Sequence, residues 1–216
     1  MSGGNKIESM MNEERVINPF EQISKKAYMG SLEQYKKEYA RSIADPEAYW
    51  AEKAGELDWI KKWDRVLDYN FNTPDIKWFS GGKLNVSANC LDRHIKNGRK
   101  NKAAIIWEGD DEKSTRVLTY QDVYRDVNRF ALALKSHGVK KGDRVAIYMP
   151  MIPELAIAML ACARIGAPHS IVFGGFSSES LKNRIADSRP EVLITADGGF
   201  RGGKIVALKA IADQAV

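Results

Sequence analysis

The sequence predicts an α/β protein with a doubly wound, mainly parallel sheet, preceded by a helical, tryptophan-rich segment. Two observations predict this class. From residue 103 onward, short apolar runs alternate with longer segments whose apolar residues recur at helical spacing. The short runs are apolar continuously rather than at every second position, which is typical of parallel strands covered by helices on both faces.

Four strand–helix pairs follow one another in this part of the chain. The predicted strands cover residues 103–107, 144–149, 170–173 and 191–195. The predicted helices cover residues 120–136, 153–165, 178–188 and 205–216. Thr119 and Asp122 have the spacing of a capping box, Gly138 suits a left-handed helix end, and Ser177 can cap the third helix. In such a sheet, ligands bind beyond the carboxyl ends of the strands, so the turns at 150–153, 173–178 and 197–204 are the ones to inspect.

The first hundred residues have a different character. Residues 1–30 are polar and aperiodic, residues 32–43 have helical spacing, and Asp45 with Pro46 opens a further helix. Four of the five tryptophans fall between Trp50 and Trp78. Such a cluster can bind sugars or bases, but it more often packs an irregular segment onto a neighbouring core, and we expect packing here.

Composition excludes several classes of protein. The net charge of +5 comes from 33 basic and 28 acidic residues, and the densest basic stretch, residues 93–102, has no interleaved aromatics to stack bases. We therefore expect no nucleic-acid partner. The longest apolar stretch, residues 149–163, is interrupted and too short for a bilayer, and no signal peptide is visible. Two cysteines without metal spacing suit a cytoplasmic protein with reduced thiols and no membrane association.

The turn at residues 197–204 is the most informative local feature. Its four glycines let backbone amides approach an anion, Arg201 can donate two hydrogen bonds to a phosphate, and Lys204 adds a point charge. The spacing also fits G-x-x-x-x-G-K, but Ile205 stands where a Walker loop needs a hydroxyl for magnesium. We reject a P-loop. A phosphate-recognition turn and an ordinary exposed glycine turn remain equally open from spacing alone.

Other candidates for chemistry are weaker. Gly175 and Ser177 resemble a nucleophile elbow until Glu179, which stands where glycine is required, so we interpret Ser177 as a helix cap. The histidines at 94, 137 and 169 lie in a linker, a helix end and a strand start. The acidic run at 110–112 is interpreted as solvated charge in a turn rather than as a pair with shifted pKa. We assign neither a catalytic residue nor a metal ligand.

Several ordered segments resemble acetyl-CoA synthetases of the adenylate-forming superfamily. They are DPEAYW at 45–50, WFSGGKLN at 78–85, NCLDRH at 89–94, AIIWEG at 104–109, LTY at 118–120, YMPMIPE at 148–154, RIGAPHS at 164–170 and VFGGFS at 172–177. Their order and spacing extend the resemblance to nearly everything from residue 31 to 216. The resemblance implies a polar tail at 1–30, a helical N-terminal region at 31–95 and an incomplete AMP-binding α/β domain at 96–216.

The resemblance also implies a two-step reaction. Acetate and MgATP give acetyl-adenylate and pyrophosphate, and the CoA thiolate then displaces AMP. By motif it assigns Arg201, Gly202, Gly203 and Lys204 to CoA binding, with lysine where the family commonly has arginine, and it places Gly174 and Gly175 beside the pantetheine path.

The family's ATP loop and catalytic lysine have no counterpart in these residues. The last residues have a helical pattern without a stop signal, so we expect a portion of a longer ligase that is inactive by itself. Propionyl-CoA synthetase and a self-contained α/β anion-binding module are the alternatives. A module for oligomerisation through the tryptophan-rich region is a further one. Neither acyl-chain preference nor oligomeric state follows from the sequence.

Overall fold

The computed structural model describes residues 17–111 and 113–216. Contacts divide the chain into two units, Met1–Ala54 and Gly55–Val216. The beginning of the predicted polar tail, residues 1–16, lies outside the described residues, as does Glu112 in the acidic run. No helix in the described part of the chain is long and apolar enough to cross a membrane.

The first unit is helical, as its spacing predicts. Its helices are α1 (Glu21–Ser24), α2 (Leu32–Ala44) and α3 (Pro46–Ala54). Ser31 accepts a hydrogen bond from the amide of Gln34 at 3.1 Å and so begins α2. Asp45 accepts one from the amide of Ala48 at 2.9 Å, which confirms the helix start predicted there. No residue of α1 or α2 is buried.

Two short antiparallel pairs open the second unit. They are β1 (Trp59–Lys61) with β4 (Lys83–Leu84), and β2 (Arg65–Asn70) with β3 (Asp75–Ser80). The rings of Trp59, Trp63 and Phe79 contact one another with centroids 4.9–5.6 Å apart. These three rings pack against one another, but they do not belong to the buried clusters of the core, and Trp50 and Trp78 are 43% and 45% exposed. The expected packing of the tryptophans onto a neighbouring core stays a prediction. A π-helical turn (Ala88–Asp92) runs into α4 (Arg93–Lys96), so the basic stretch begins as a helix rather than as a linker.

The strand predicted at 103–107 exists, but its placement in the parallel sheet is wrong. β5 (Ala103–Glu108) pairs antiparallel with β6 (Thr115–Thr119), a strand that sequence reasoning missed. The turn between them closes where the amide of Gly109 donates to the carbonyl of Ser114 at 2.7 Å. Ile106 and Val117 stand opposite each other and are 72% and 64% exposed. An apolar run is therefore not sufficient to distinguish a half-exposed hairpin strand from a buried parallel one.

Three parallel strands form the central sheet, in the order β8–β7–β9. They are β7 (Val145–Met149), β8 (His169–Phe173) and β9 (Val192–Thr195). All five residues of β7 are buried, which explains its continuous apolar sequence. The α/β class predicted from the sequence is confirmed.

Helices cover both faces of this sheet. α5 (Tyr120–Ser136) and α6 (Pro153–Ile165) share a buried cluster with Val145 and Ile147 of β7. α7 (Ser178–Ser188) and α8 (Leu208–Ala215) share another with Tyr148, whose side chain leaves β7 on the opposite face.

The predicted helix signals hold in this unit. Thr119 and Asp122 form a reciprocal capping box at the start of α5, Pro153 begins α6, and Gly166 ends it in a left-handed conformation. Ser177 accepts from the amide of Ser180 at 3.3 Å, which confirms it as the cap of α7.

The last predicted helix begins later than expected. The chain after β9 forms an antiparallel hairpin, β10 (Gly199–Arg201) and β11 (Lys204–Val206), and α8 begins only at Leu208. The two glycines of its turn, Gly202 and Gly203, have φ values of 58° and 73°, which a two-residue hairpin turn of type I′ requires. The glycine-rich turn therefore does not open a helix, and its amides are not aligned with a helix dipole.

Candidate functional site

The three turns singled out from the sequence meet at the carboxyl ends of β7 and β8. They enclose a cleft of about 810 Å³. Its walls are largely apolar, and they include Trp107, Met149, Pro150, Met151, Phe173, Phe200 and Leu208. Gly174, Gly175, Arg201, Gly203 and Asp110 also line it. A cleft at the carboxyl edge of a parallel sheet is where α/β proteins bind their ligands.

The hairpin approaches the sheet closely because it carries glycine at the point of contact. A Cβ atom at Gly199 would lie 2.7 Å from the Cβ of Pro150, closer than two such carbons can approach. Gly174 is similarly confined, since its Cβ would lie 3.2 Å from the carbonyl oxygen of Met149. Small residues at these positions let the hairpin and the loop after β8 lie against the end of β7.

Arg201 lies across the loop that follows β8. Its guanidinium carbon is 5.0 Å from the centre of the Phe173 ring, within the range of a cation–π contact. A Cβ atom at Gly175 would collide with Nη1 of Arg201. The guanidinium thus occupies space that a side chain at position 175 would also need, and this relation links two motifs that are separate in the sequence.

Lys204 stands opposite Arg201 in the hairpin. The two residues are Cα partners of an antiparallel pair, so their side chains leave the hairpin on the same face. Among the described residues, no carboxylate forms an ion pair with either cation. Two like charges held side by side repel each other, and an anion bound between them would remove that cost.

The amides of the hairpin turn have a partner that the sequence did not indicate. Gly202 and Gly203 donate to the two carboxylate oxygens of Asp110, at 2.9 and 2.6 Å. These hydrogen bonds, that of Gly203 first, lower the pKa of Asp110. The interpretation of Asp110 as merely solvated charge is wrong, although its side chain is exposed. Gly202 and Lys204 lie outside the lining of the cleft, whereas Arg201 and Gly203 belong to it.

The hydroxyl of Tyr148 forms hydrogen bonds with the backbone of the loop after β8. Its hydroxyl donates to the carbonyl of Phe176 at 2.9 Å and also lies 3.3 Å from the carbonyl oxygen of Gly174. Burial raises the pKa of this phenol, which therefore remains a hydrogen-bond donor at neutral pH. The side chain of Trp107 similarly donates to the carbonyl of Met151 at 2.7 Å. Neither residue was a candidate from sequence, because an apolar strand gives no sign of which aromatic is hydrogen-bonded.

The remaining candidates have structural roles. Ser177 caps α7, and His94 lies beside the ring of Tyr120 with centroids 5.1 Å apart. His169 is half-buried in β8, where burial lowers its pKa and favours the neutral imidazole. In the described residues, no group of three or more His, Cys, Asp or Glu side chains is arranged to hold a metal ion.

The fold defines an α/β protein with a cleft at the carboxyl edge of its parallel sheet, and comparison with known proteins gives its family. Residues 91–215 match the model of the AMP-binding enzyme family, and residues 35–90 match that of the acetyl-coenzyme A synthetase N-terminus. The chain belongs to the AMP-binding enzyme family.

Curated relatives agree with both matches. The chain is 56% identical over 206 residues to an acetyl-coenzyme A synthetase of Leptospira biflexa serovar Patoc, covering 95% of the chain and 31% of the relative. It is 60% identical over 185 residues to that of Saccharophagus degradans, covering 85% of the chain and 28% of the relative. The chain therefore spans about a third of the length of these relatives or less.

A solved structure supports the fold. The acetoacetyl-CoA synthetase from Streptomyces lividans superposes with a TM-score of 0.73 at 26% identity, over 81% of this chain and 27% of that one.

Proposed function

We propose that this chain is the N-terminal portion of an AMP-forming acetate–CoA ligase, and that its cleft contributes to CoA binding. The ligase joins acetate to CoA at the expense of ATP. The acetate oxygen attacks the α-phosphorus of ATP and releases pyrophosphate, and the CoA thiolate then attacks the acyl carbon and releases AMP. Identity of 49–60% to acetyl-coenzyme A synthetases supports acetate over propionate as the substrate.

The pairing of Arg201 with Lys204 is the observation that carries this proposal. Both cations leave the same face of the hairpin, and the guanidinium of Arg201 lines the cleft next to the ring of Phe173. A terminal phosphate of CoA, which carries about two negative charges, suits such a pair because it accepts several charge-assisted hydrogen bonds. Gly202 and Gly203 contribute to this site by forming the turn that places Arg201 opposite Lys204.

The apolar walls of the cleft suit the rest of the ligand. The pantetheine arm is a flexible chain of methylenes and amides, and Gly174 and Gly175 leave backbone exposed beside it. We assign Arg201 and Lys204 to the phosphate, and the loop after β8 to the arm. We assign no residue of this chain to Mg²⁺ and no step through that ion.

Calorimetry of the 216-residue chain tests the proposal. We expect CoA to bind with a dissociation constant on the order of millimolar, since one pair of cations supplies only a few hydrogen bonds, and dephospho-CoA to bind roughly tenfold more weakly. Arg201→Gln should remove most of this difference. Arg129→Gln, which removes an exposed arginine from α5, is the matched control and should leave it unchanged. Equal affinities of the unaltered chain for the two ligands would remove the phosphate role from Arg201.

Small molecules are the partners that this proposal requires, namely acetate, ATP and CoA. A cytoplasmic location belongs to the proposal as well. The two free cysteines, Cys90 exposed and Cys162 buried, support it because reduced thiols suit a reducing compartment.

A further inference from the structure

Asp110 contacts the hairpin from a distant part of the sequence. It lies in the loop between β5 and β6, 92 residues before Gly202, and it is the carboxylate that the turn amides of the hairpin hold. The two successive amides point to one side, since both donate to the same carboxylate, and such a concave pair is a general anion-binding element of protein backbones. Here the protein supplies the anion itself.

The arrangement determines where Arg201 stands. Arg201 directly precedes the two glycines that donate to Asp110, and its side chain reaches back to Phe173 over Gly175. Its backbone is thus fixed at the turn by Asp110 and its guanidinium at the loop after β8. Without the carboxylate, the two turn amides would be left to water, and the tip of a two-stranded hairpin has little other support.

We propose that Asp110 is the positioning residue of the anion site: by filling the turn formed by Gly202 and Gly203, it holds Arg201 at the mouth of the cleft. The inference rests on the proposed role of Arg201 in CoA binding. It also changes the role of the two glycines, whose amides bind the carboxylate of Asp110 and leave the ligand phosphate to the side chains of Arg201 and Lys204.

A neighbouring carboxylate provides a matched control. Asp111 also lines the cleft, but its carboxylate accepts from the amide of Lys113, at 3.1 Å, within its own loop. Asp111→Ala therefore removes a negative charge near the site without removing a contact to the β10–β11 hairpin. Loss of this charge alone should strengthen anion binding slightly. Asp110→Ala removes the same charge together with the two hydrogen bonds from Gly202 and Gly203, which we call the clamp. The difference between the two variants isolates positioning from charge.

Titration of the unaltered chain and of its variants at Asp110 and Asp111 with CoA, followed by NMR chemical shifts, tests the proposal. We expect Asp110→Ala to weaken CoA binding about three- to tenfold relative to Asp111→Ala, and to reduce the preference for CoA over dephospho-CoA. Asp110→Glu, which keeps the charge on a longer side chain, should recover part of the loss. Equal or tighter binding by Asp110→Ala than by Asp111→Ala would contradict a positioning role for Asp110.

A second measurement does not depend on CoA. The amide protons of Gly202 and Gly203 should exchange slowly in the unaltered chain and in Asp111→Ala, and about tenfold faster or more in Asp110→Ala. Absence of phosphate-dependent CoA binding together with this protection pattern would contradict the proposed function and leave the clamp standing. Fast exchange of both amides in the unaltered chain would contradict the clamp itself.

Discussion

At the scale of single residues, the two cysteines differ in environment. Cys90 is exposed in the π-helical turn, whereas Cys162 is fully buried in α6. Burial raises the pKa of the Cys162 thiol to about 11, because a thiolate cannot be solvated among apolar side chains. In the unfolded chain the same thiol would ionise near its ordinary value of about 8.5. Folding therefore opposes ionisation between these two values.

This difference predicts a loss of stability at alkaline pH. Below pH 8 both states carry the protonated thiol, and above it the unfolded state loses its proton first, so the free energy of unfolding falls as pH rises toward 11. From pH 8 to pH 10 we expect Cys162 to contribute a loss of about 1–2 kcal/mol. Urea unfolding of the chain and of Cys162→Ala at both pH values measures it. A pH dependence identical in the two proteins would exclude this contribution.

Residue roles were only partly predictable from sequence. The cations and glycines at 201–204 could be recognised because they lie together in the chain, and their assignment to CoA remains a prediction. Asp110 could not be connected with them, since nothing local indicates a contact across 92 residues. Tyr148 was hidden for another reason: its ring belongs to an apolar strand, and only its hydroxyl reaches the polar loop.

At the scale of elements, helix starts were well predicted because they depend on local hydrogen bonds. The capping box of α5 is an example. The hydroxyl of Thr119 accepts from the amide of Asp122 at 3.2 Å, and the carboxylate of Asp122 accepts from the amide of Thr119 at 3.1 Å. The Thr119 hydroxyl and amide also lower the pKa of Asp122.

Thr119→Ala should therefore destabilise the protein. We expect a loss of about 1 kcal/mol in the free energy of unfolding, because one helix amide loses its acceptor and Asp122 loses the hydroxyl donor. Thr115→Ala, at the exposed start of β6, is the matched control and should change stability by less than about 0.5 kcal/mol. Urea denaturation at neutral pH compares them. Equal losses would mean that the capping box contributes nothing specific.

Strand pairing was predicted less well. β6 and the β10–β11 hairpin were both missed, because each is short and half-exposed and carries no continuous apolar run. The sequence 198–206 was interpreted as a turn followed by a helix, since Ile205, Val206 and Leu208 also fit helical spacing. Pairing across Gly202 and Gly203 competes with that helix, and the two positive φ angles favour the hairpin.

At the scale of the whole molecule, the chain spans about a third of the length of its relatives or less. Arg201, Gly174 and Gly175, which we assign to CoA, line its cleft, Lys204 lies beside it, and we assign catalysis to no residue. Binding and adenylation are therefore separable in this chain if the proposed function is correct.

We expect the 216 residues to bind CoA and to show no acetate-dependent exchange between ATP and pyrophosphate. The resemblance described above implies an ATP loop and a catalytic lysine that have no counterpart in these residues. We therefore assign no residue of this chain to the first chemical step. The full-length relative from Leptospira biflexa, assayed in parallel, is the positive control. Exchange by this chain above the enzyme-free rate would contradict the assignment of adenylation to other parts of the ligase.

The central sheet has a further consequence for how this chain behaves in solution. Within the part of the chain that the structure describes, β8 and β9 each pair with β7 only, so the sheet has two open borders. Ile171 and Phe173 of β8 are 42% and 48% exposed beside one of them. Unsatisfied main-chain groups next to apolar side chains are a template for further strands. At high concentration, a strand of another molecule of the same chain can pair with this edge. Intermolecular association would then compete with folding of the single chain.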